Sequence, residues 1–233
     1  MVIVGILGIV ILLSATVSLS IITYKMIRKN KSKILIGLNI FLILVFVLYS
    51  CLTSLSLSYN YFYLKGSNLF FQNKHQEAIK PLKRALMIRK KIGILSKLME
   101  IKILGVPLFY SSEKDVRILS ANAYKSSGNY KEAIKEFGEV ISLDNNNFDA
   151  IAGIAESLFL LRNFKEAKQY YQKLIEIQPK ENNFNYYFQT GRAFMVLLDY
   201  DNAIKYFKKA LEFDKENEIV SRYIEICYES KNR

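Results

Sequence analysis

Two long apolar runs open the chain and are unlike everything that follows them. They cover residues 2–24 and 34–58, and the segment between them is polar and basic. Each run exceeds the ~20 apolar residues that a helix needs to cross the hydrocarbon core of a membrane. A helix satisfies its own backbone hydrogen bonds in that environment. The pattern therefore predicts two transmembrane helices, packed as a hairpin.

A secretory signal peptide is the alternative interpretation of the first run. Such a peptide carries its basic segment before a shorter apolar core. Here the apolar residues begin at Val2 and the basic residues come afterwards. This order favours a membrane span over a cleaved leader.

The basic residues between the two runs predict an orientation. Residues 1–58 contain no Asp or Glu, and their positive charge is confined to residues 25–33. Since Lys and Arg next to spans stay in the cytoplasm, we expect the rest of the chain after residue 58 to be extracytoplasmic. The sequence thus predicts a multi-pass protein of a bacterial cytoplasmic (inner) membrane, with lipid around both spans. The topology-setting residues are Lys25, Arg28, Lys29, Lys31 and Lys33.

After residue 58 the apolar positions take helical spacing, and one phrase recurs four times. Its versions are "NKHQEAIKPL", "GNYKEAIKEF", "RNFKEAKQYY" and "LDYDNAIKYF". Each contains one Ala at the same place, and these alanines are 55, 34 and 36 residues apart. The spacings fit four 34-residue units with insertions of 21 and 2 residues. The predicted units are 59–92, 114–147, 148–181 and 184–217.

The 34-residue period resembles that of the tetratricopeptide repeat family, whose repeats are helix-turn-helix units that stack on their neighbours. The resemblance holds at individual places of the unit. The eighth place, where two helices nearly touch, is small: Gly66, Ala121, Ala155 and Gly191. The twentieth is Ala78, Ala133, Ala167 and Ala203. The twenty-fourth is bulky: Leu82, Phe137, Tyr171 and Phe207. The family's Trp at the fourth place is missing, since Phe62, Arg117, Ile151 and Tyr187 stand there.

The sequence therefore predicts an all-α fold with two parts. A two-helix transmembrane hairpin covers 1–58, and an α-solenoid of four repeats covers 59–233 and ends in a capping helix at 218–233. Because no Pro separates them, the second apolar run is expected to continue directly into the first repeat helix. The inserted residues 93–113 are apolar and basic. They lie on the membrane surface or extend the second helix and pack into the array.

Catalytic motifs are missing from the sequence. It contains no Gly-rich phosphate loop, no HExxH and no Cys/His metal spacing, so we expect neither an enzyme, nor a cofactor, nor a metal site. The single His75 stands where the other repeats carry an aromatic residue, which indicates packing. The net charge of +12 includes the five basic residues between the apolar runs, and no element resembles a nucleic-acid-binding module, so no nucleic-acid partner is expected.

The resemblance implies that a protein partner binds in the concave groove formed by the first helices of the repeats. The family's groove-lining places select Tyr63, Phe70, Ile118, Asn122, Lys125, Glu156, Phe159, Phe188, Arg192 and Met195. The alternative for each residue is that it only fills the interior of the array. The polar members are the stronger candidates, because packing alone does not select them. The cationic set by which co-chaperone repeats grip a C-terminal carboxylate is absent.

The expected function is a membrane-anchored scaffold that binds partner proteins and helps to assemble a bacterial envelope complex of the secretion, pilus or flagellar-collar type. The alternative is a chaperone-like accessory factor for protein export or folding at the membrane. A stable co-purifying complex would favour the scaffold, whereas many weakly bound clients would favour the chaperone.

Overall fold

The computed structural model describes residues 14, 17–29, 33–92, 111–177 and 183–232, and within them every regular element is a helix. This confirms the all-α prediction for those residues. A helical stretch at 17–28 comes first. The helices after it are α1 (Lys33–Phe71), α2 (His75–Ile92), α3 (Glu113–Ser126), α4 (Tyr130–Leu143), α5 (Phe148–Leu160), α6 (Phe164–Glu176), α7 (Phe184–Val196), α8 (Tyr200–Leu211) and α9 (Glu218–Lys231).

Among the described residues, no helix combines the length and the apolar character needed to cross a membrane. The predicted transmembrane hairpin is therefore wrong, and so is the multi-pass inner-membrane localisation that depended on it. A span needs about 20 consecutive apolar residues in one helix. In the second run, α1 carries Asn39 and four hydroxyl residues between 50 and 56.

Four of the five residues that were assigned to topology, Lys25, Arg28, Lys29 and Lys33, have exposed side chains. Lys31 lies outside the described residues, as do residues 93–110 of the predicted insertion. Helix α1 runs without a break from Lys33 to Phe71. This confirms that the second apolar run continues into the first repeat helix without an irregular linker.

The chain divides into two compact units, one from Met1–Gly66 and Pro81–Ser112, the other from Ser67–Lys80 and Glu113–Arg233. In the first unit, Tyr59 is fully buried and its hydroxyl lies 3.0 Å from both the carbonyl oxygen and the Oγ of Ser111. Arg89 donates to the same carbonyl at 3.2 Å and lies over the Tyr59 ring. Burial raises the pKa of Tyr59. These contacts tie α1 and α2 to Ser111 of the same unit.

In the second unit each helix from α3 to α9 packs against the next one in the chain. Asparagine or aspartate side chains begin five of these helices, because each accepts a hydrogen bond from the backbone N–H three residues further on. These N-cap residues are Asn147, Asn163, Asn183, Asp199 and Asn217. The polar residue ahead of each amphipathic segment therefore sets where its helix starts.

The same turn joins the two helices of every predicted repeat. Its central residue has a positive φ, at Asn73, Gly128, Arg162 and Leu198. In each turn the following N–H donates at 2.9 Å to the carbonyl oxygen five residues earlier. That bond closes a helix C-terminus through a left-handed residue. These turns are 55, 34 and 36 residues apart, so the spacing read from the alanines is also a property of the backbone.

Small residues keep the paired helices close together. All four alanines of the twentieth place are fully buried, and so are the four bulky residues of the twenty-fourth. A Cβ built on Gly191 would lie 2.7 Å from the ring of Phe207, and one on Gly153 would lie 2.3 Å from the ring of Phe137. The aromatic ring of a second helix therefore fills the space that glycine leaves on the first helix of the same or the following repeat.

Helix α9 covers the end of the array, as predicted. Val220 and Cys227 are fully buried in one cluster with Phe207 and two alanines of α8. Burial raises the pKa of the Cys227 thiol, in keeping with its predicted role as a small apolar residue. The predicted apolar face is wrong at Ile219, whose side chain is exposed.

The shared turn generates a prediction about backbone strain. Leu198 has φ 66°, where a residue with a Cβ is disfavoured by roughly 1–2 kcal/mol. Replacing Leu198 by Gly should therefore stabilise the protein by about 0.5–1 kcal/mol, measured by thermal unfolding. The reciprocal change Gly128→Ala, at φ 77° and with open space around the new methyl, should destabilise it. A lower unfolding temperature for Leu198→Gly would contradict the argument.

The close approach of α4 and α5 generates a second prediction. Gly153→Ala should lower the stability by about 2 kcal/mol, because the new methyl overlaps the Phe137 ring. The matched control is Gly138→Ala on α4, where nothing lies within 4 Å of the new methyl. That control should be neutral or stabilising, since alanine favours a helix by up to ~1 kcal/mol. Equal effects of the two changes in thermal unfolding would disprove close packing at Gly153.

Candidate functional site

Three charged side chains connect the first helices of three successive repeats. Lys125 is on α3, Glu156 on α5 and Arg192 on α7, and together they form what we call the charge triad. The Nζ of Lys125 lies 2.6 Å from Oε2 of Glu156, and Nη1 of Arg192 lies 2.9 Å from Oε1. One carboxylate thus pairs with two cations, one at each oxygen.

The side chains of the triad are largely withdrawn from water but still reach it. Their exposed fractions are 20 % for Lys125, 19 % for Glu156 and 13 % for Arg192. Arg192 donates from the same Nη1 to Oε1 of Gln189 at 3.2 Å, and its guanidinium lies 5.8 Å from the centre of the Phe188 ring. Ion pairs with this degree of burial hold their geometry better than fully exposed ones.

The triad stabilises the ionised form of Glu156. Burial by itself raises the pKa of this carboxyl group, but the charges and hydrogen bonds of Arg192 and Lys125 outweigh it, so the pKa is lowered. Burial likewise opposes the charge on Arg192, and the field of Glu156 outweighs it and raises the pKa. Glu156 and Arg192 are therefore charged at neutral pH. Two basic side chains and one carboxylate give the triad a formal net charge of +1.

Helix α6 carries a fully buried hydroxyl. Tyr171 is 0 % exposed, and its hydroxyl has no hydrogen-bond partner among the described residues. Burial raises its pKa to about 12, with Arg192 lowering it and Glu156 raising it by smaller amounts. The hydroxyl therefore keeps its proton at neutral pH.

A second polar bridge joins α5 to α7, and the sequence-based selection missed it. The amide nitrogen of Asn185 donates to Oδ1 of Asp149 at 2.9 Å. Both residues occupy the second place of their repeats, which is one of the family's groove-lining places. Comparing the same place in successive repeats would have found the pair, since an amide and a carboxylate stand opposite each other there.

Some of the apolar candidates pack in the core, and others are partly exposed. Phe188 and Met195 pack against the buried cluster of α8 and α9, so they help to form the core. Phe70 contacts the His75 ring at 4.9 Å between centroids, and Phe159 contacts Phe164 at 5.2 Å. The His75 contact agrees with the packing role expected for this residue.

The remaining candidates are half-buried. Ile118 and Asn122 lie on α3, and the side chain of Asn122 makes no hydrogen bond within the part of the chain that is described. Tyr63 belongs to the first compact unit. The structure therefore brings Lys125, Glu156, Arg192 and Phe188 together.

Arg117 occupies the fourth place of the second repeat, where the family has a Trp, and it joins two helices there by ion pairs. Its guanidinium pairs with Glu113 and Glu136 at 2.9 Å and with Glu139 at 3.7 Å. The cluster fastens α3 to α4 by charge where the family uses an aromatic side chain. Among the described residues, no group of three His, Cys, Asp or Glu side chains is arranged to hold a metal ion.

Comparison with known proteins supports the repeat assignment. Family models of the tetratricopeptide repeat match residues 124–186 and 184–217, which together are less than half of the chain. These residues are therefore tetratricopeptide repeats, and the resemblance is confirmed for them. Repeats of this family bind protein partners and, in general, have no catalytic role.

Solved structures show a similar fold. The chain is 16 % identical to MamA from Desulfovibrio magneticus RS-1, with a TM-score of 0.52 over 75 % of this chain and 86 % of that chain. The MamA RS-1 ArsTM double mutant is also 16 % identical, with a TM-score of 0.50 over 75 % of this chain and 85 % of that one. At this identity the similarity concerns the fold alone.

The triad generates a prediction about pH. Since the folded-state pKa of Glu156 is lowered, its stabilising effect is present above its unfolded pKa of about 4.3 and is lost as the pH falls through the folded value. Glu156→Gln should therefore cost about 1–2 kcal/mol at pH 7, between the values for exposed and buried pairs, and much less at pH 3. Denaturant unfolding at both pH values measures the difference.

A second glutamate provides the control for this measurement. Glu212 is exposed and has no ion pair with any described residue, so Glu212→Gln should change the stability at pH 7 by less than about 0.5 kcal/mol. If both substitutions cost the same at pH 7, the triad contributes nothing to stability.

Proposed function

We propose that this chain is a tetratricopeptide scaffold, without catalytic activity of its own, that binds a partner protein in a groove lined by the first helices of its repeats. The proposed groove lies in the second compact unit, which contains the predicted repeats 114–147, 148–181 and 184–217. A partner bound across several units helps to hold together a larger complex.

The observation that supports this proposal most directly is the polar lining of α3, α5 and α7. Charged and amide side chains on the inner surface of an array are costly to bury unless they are paired. Here Asn122, Lys125, Glu156 and Arg192 stay partly exposed. Such positions combine fixed geometry with access to a partner, and Arg is enriched among the residues that dominate protein interfaces.

Phe70, Ile118, Phe159, Phe188 and Met195, which all belong to the second compact unit, form the apolar part of the proposed groove. Phe188 and Met195 pack against the buried cluster of α8 and α9 and so hold in place α7, the helix that carries Arg192. Ile118 on α3 and Phe159 on α5 are half-buried and offer apolar contact area. A role in an envelope complex of the secretion, pilus or flagellar-collar type stays a prediction.

Site-specific photo-crosslinking in the producing cells tests the groove. A photoreactive phenylalanine analogue at Asn122 should yield a discrete crosslinked product, because this side chain faces the proposed groove without a hydrogen bond of its own. The matched control position is Lys168, an exposed residue of α6, a second helix. It should yield no such product. Both yields are read from denaturing gels and the product is identified by mass spectrometry.

The crosslinking pattern separates three outcomes. One discrete product from position 122 alone supports the scaffold. A broad smear of many clients from that position supports the chaperone-like alternative. Products from position 168 and none from position 122 would place the binding surface on the second helices and would contradict the proposal.

A further inference from the structure

The hydrogen-bond geometry of Arg192 indicates what the proposed groove binds. Both hydrogens of Nη1 are in use, one on Glu156 and one on Gln189. Nε and Nη2 make no hydrogen bond to any residue that the structure describes. The Nε–Nη2 edge of a guanidinium presents two parallel N–H groups, which match the two oxygens of a carboxylate.

The charge balance of the triad favours the same ligand. Glu156 has one cation on each oxygen, and the two cations together exceed it by one positive charge. Lys125 has three N–H donors, of which one is committed to Glu156. A second carboxylate would neutralise the triad without displacing Glu156.

The rest of the inner surface indicates a carboxylate on a side chain. A C-terminal carboxylate is held in related arrays by a set of cationic and amide residues, and the corresponding places here hold Ile118, Gly153 and Gln189 among others. The other groove carboxylate, Asp149, is engaged by Asn185. Ile118 and Phe159 are partly exposed apolar residues on two of the helices that carry the triad, so we expect uncharged residues next to the acidic one.

We infer that the groove takes a partner protein segment with an internal Asp or Glu side chain, whose carboxylate binds to the Nε–Nη2 edge of Arg192 next to Lys125. This inference rests on the proposed function and adds the chemical class of the segment. Glu156 has the role of a positioning residue, because it holds both cations in place and leaves the free edge of Arg192 directed away from itself.

Two peptide pools test the inference with the full chain. Each is a fluorescent nonapeptide library, acetylated and amidated at its ends, with Glu or Gln at the centre and Ala, Ser, Thr, Leu or Phe elsewhere. The immobilised protein should retain the Glu pool about tenfold more than the Gln pool, because charge-assisted bidentate bonds are stronger than neutral ones. A third pool with central Gln and a free C-terminal carboxylate should be retained like the Gln pool.

Variants of Arg192 identify the group that is responsible. Arg192→Lys keeps the positive charge next to Glu156 but removes the bidentate edge, so the preference for Glu should fall to about twofold or less. Arg192→Gln should abolish it. Lys205→Gln removes an exposed cation from α8 and should leave the preference intact. Thermal unfolding followed by circular dichroism establishes whether each variant is folded. If Arg192→Gln is unfolded, the retention of the two pools by Arg192→Lys decides whether the Glu preference depends on the bidentate edge.

Each result bears on the inference. Equal retention of the Glu and Gln pools by the unaltered protein would overturn it, as would an unchanged preference in Arg192→Lys. Stronger retention of the pool with the free C-terminus would assign the site to chain ends instead. If the Glu preference is absent while the crosslink from position 122 persists, the inference fails and the proposed function stands. If both are absent, the groove itself is not the binding surface.

Discussion

The helices of each repeat lie so close together that one place in every unit admits nothing larger than a methyl group. The alanines of the twentieth place are fully buried, and Gly191 allows the ring of Phe207 to approach closely enough to exclude a Cβ. Cores at native density do not absorb an extra methyl without a shift. The distance between paired helices is therefore set by these small residues, and the positions of all groove side chains depend on it.

The turn between paired helices acts together with this packing. Three of the four turns place a residue other than glycine at positive φ, namely Asn73, Arg162 and Leu198. Arg162 and Leu198 have no special preference for that conformation. The hydrogen bond that closes each turn and the packing of the two helices on either side offset the strain. The geometry of the turn is thus enforced by its surroundings more than by the residue in it.

Fixed helix positions have a consequence for the charged residues of the inner surface. Lys125, Glu156 and Arg192 are distant in sequence, and they meet because three first helices are held at one spacing. The pairing gives them a structural role as well as the binding role proposed for them. Truncating either cation would leave Glu156 less compensated, so a loss of partner binding in such a variant must be separated from a loss of stability.

The sequence by itself determined the repeats: their helical class, their 34-residue spacing, the buried small and bulky places, and the capping helix with Cys227 inside. These features follow from local periodicity and side-chain size. The same pattern is present in the sequence of each repeat, so each repeat predicts them separately. Apolar composition alone predicted a transmembrane hairpin at residues 2–58, and the described helices do not support it. Tertiary structure alone decided which polar groove residues pair. Arg117 with Glu136 and Glu139, Asp149 with Asn185, and the triad are contacts between helices. Their partners depend on interhelical distances that local periodicity does not encode.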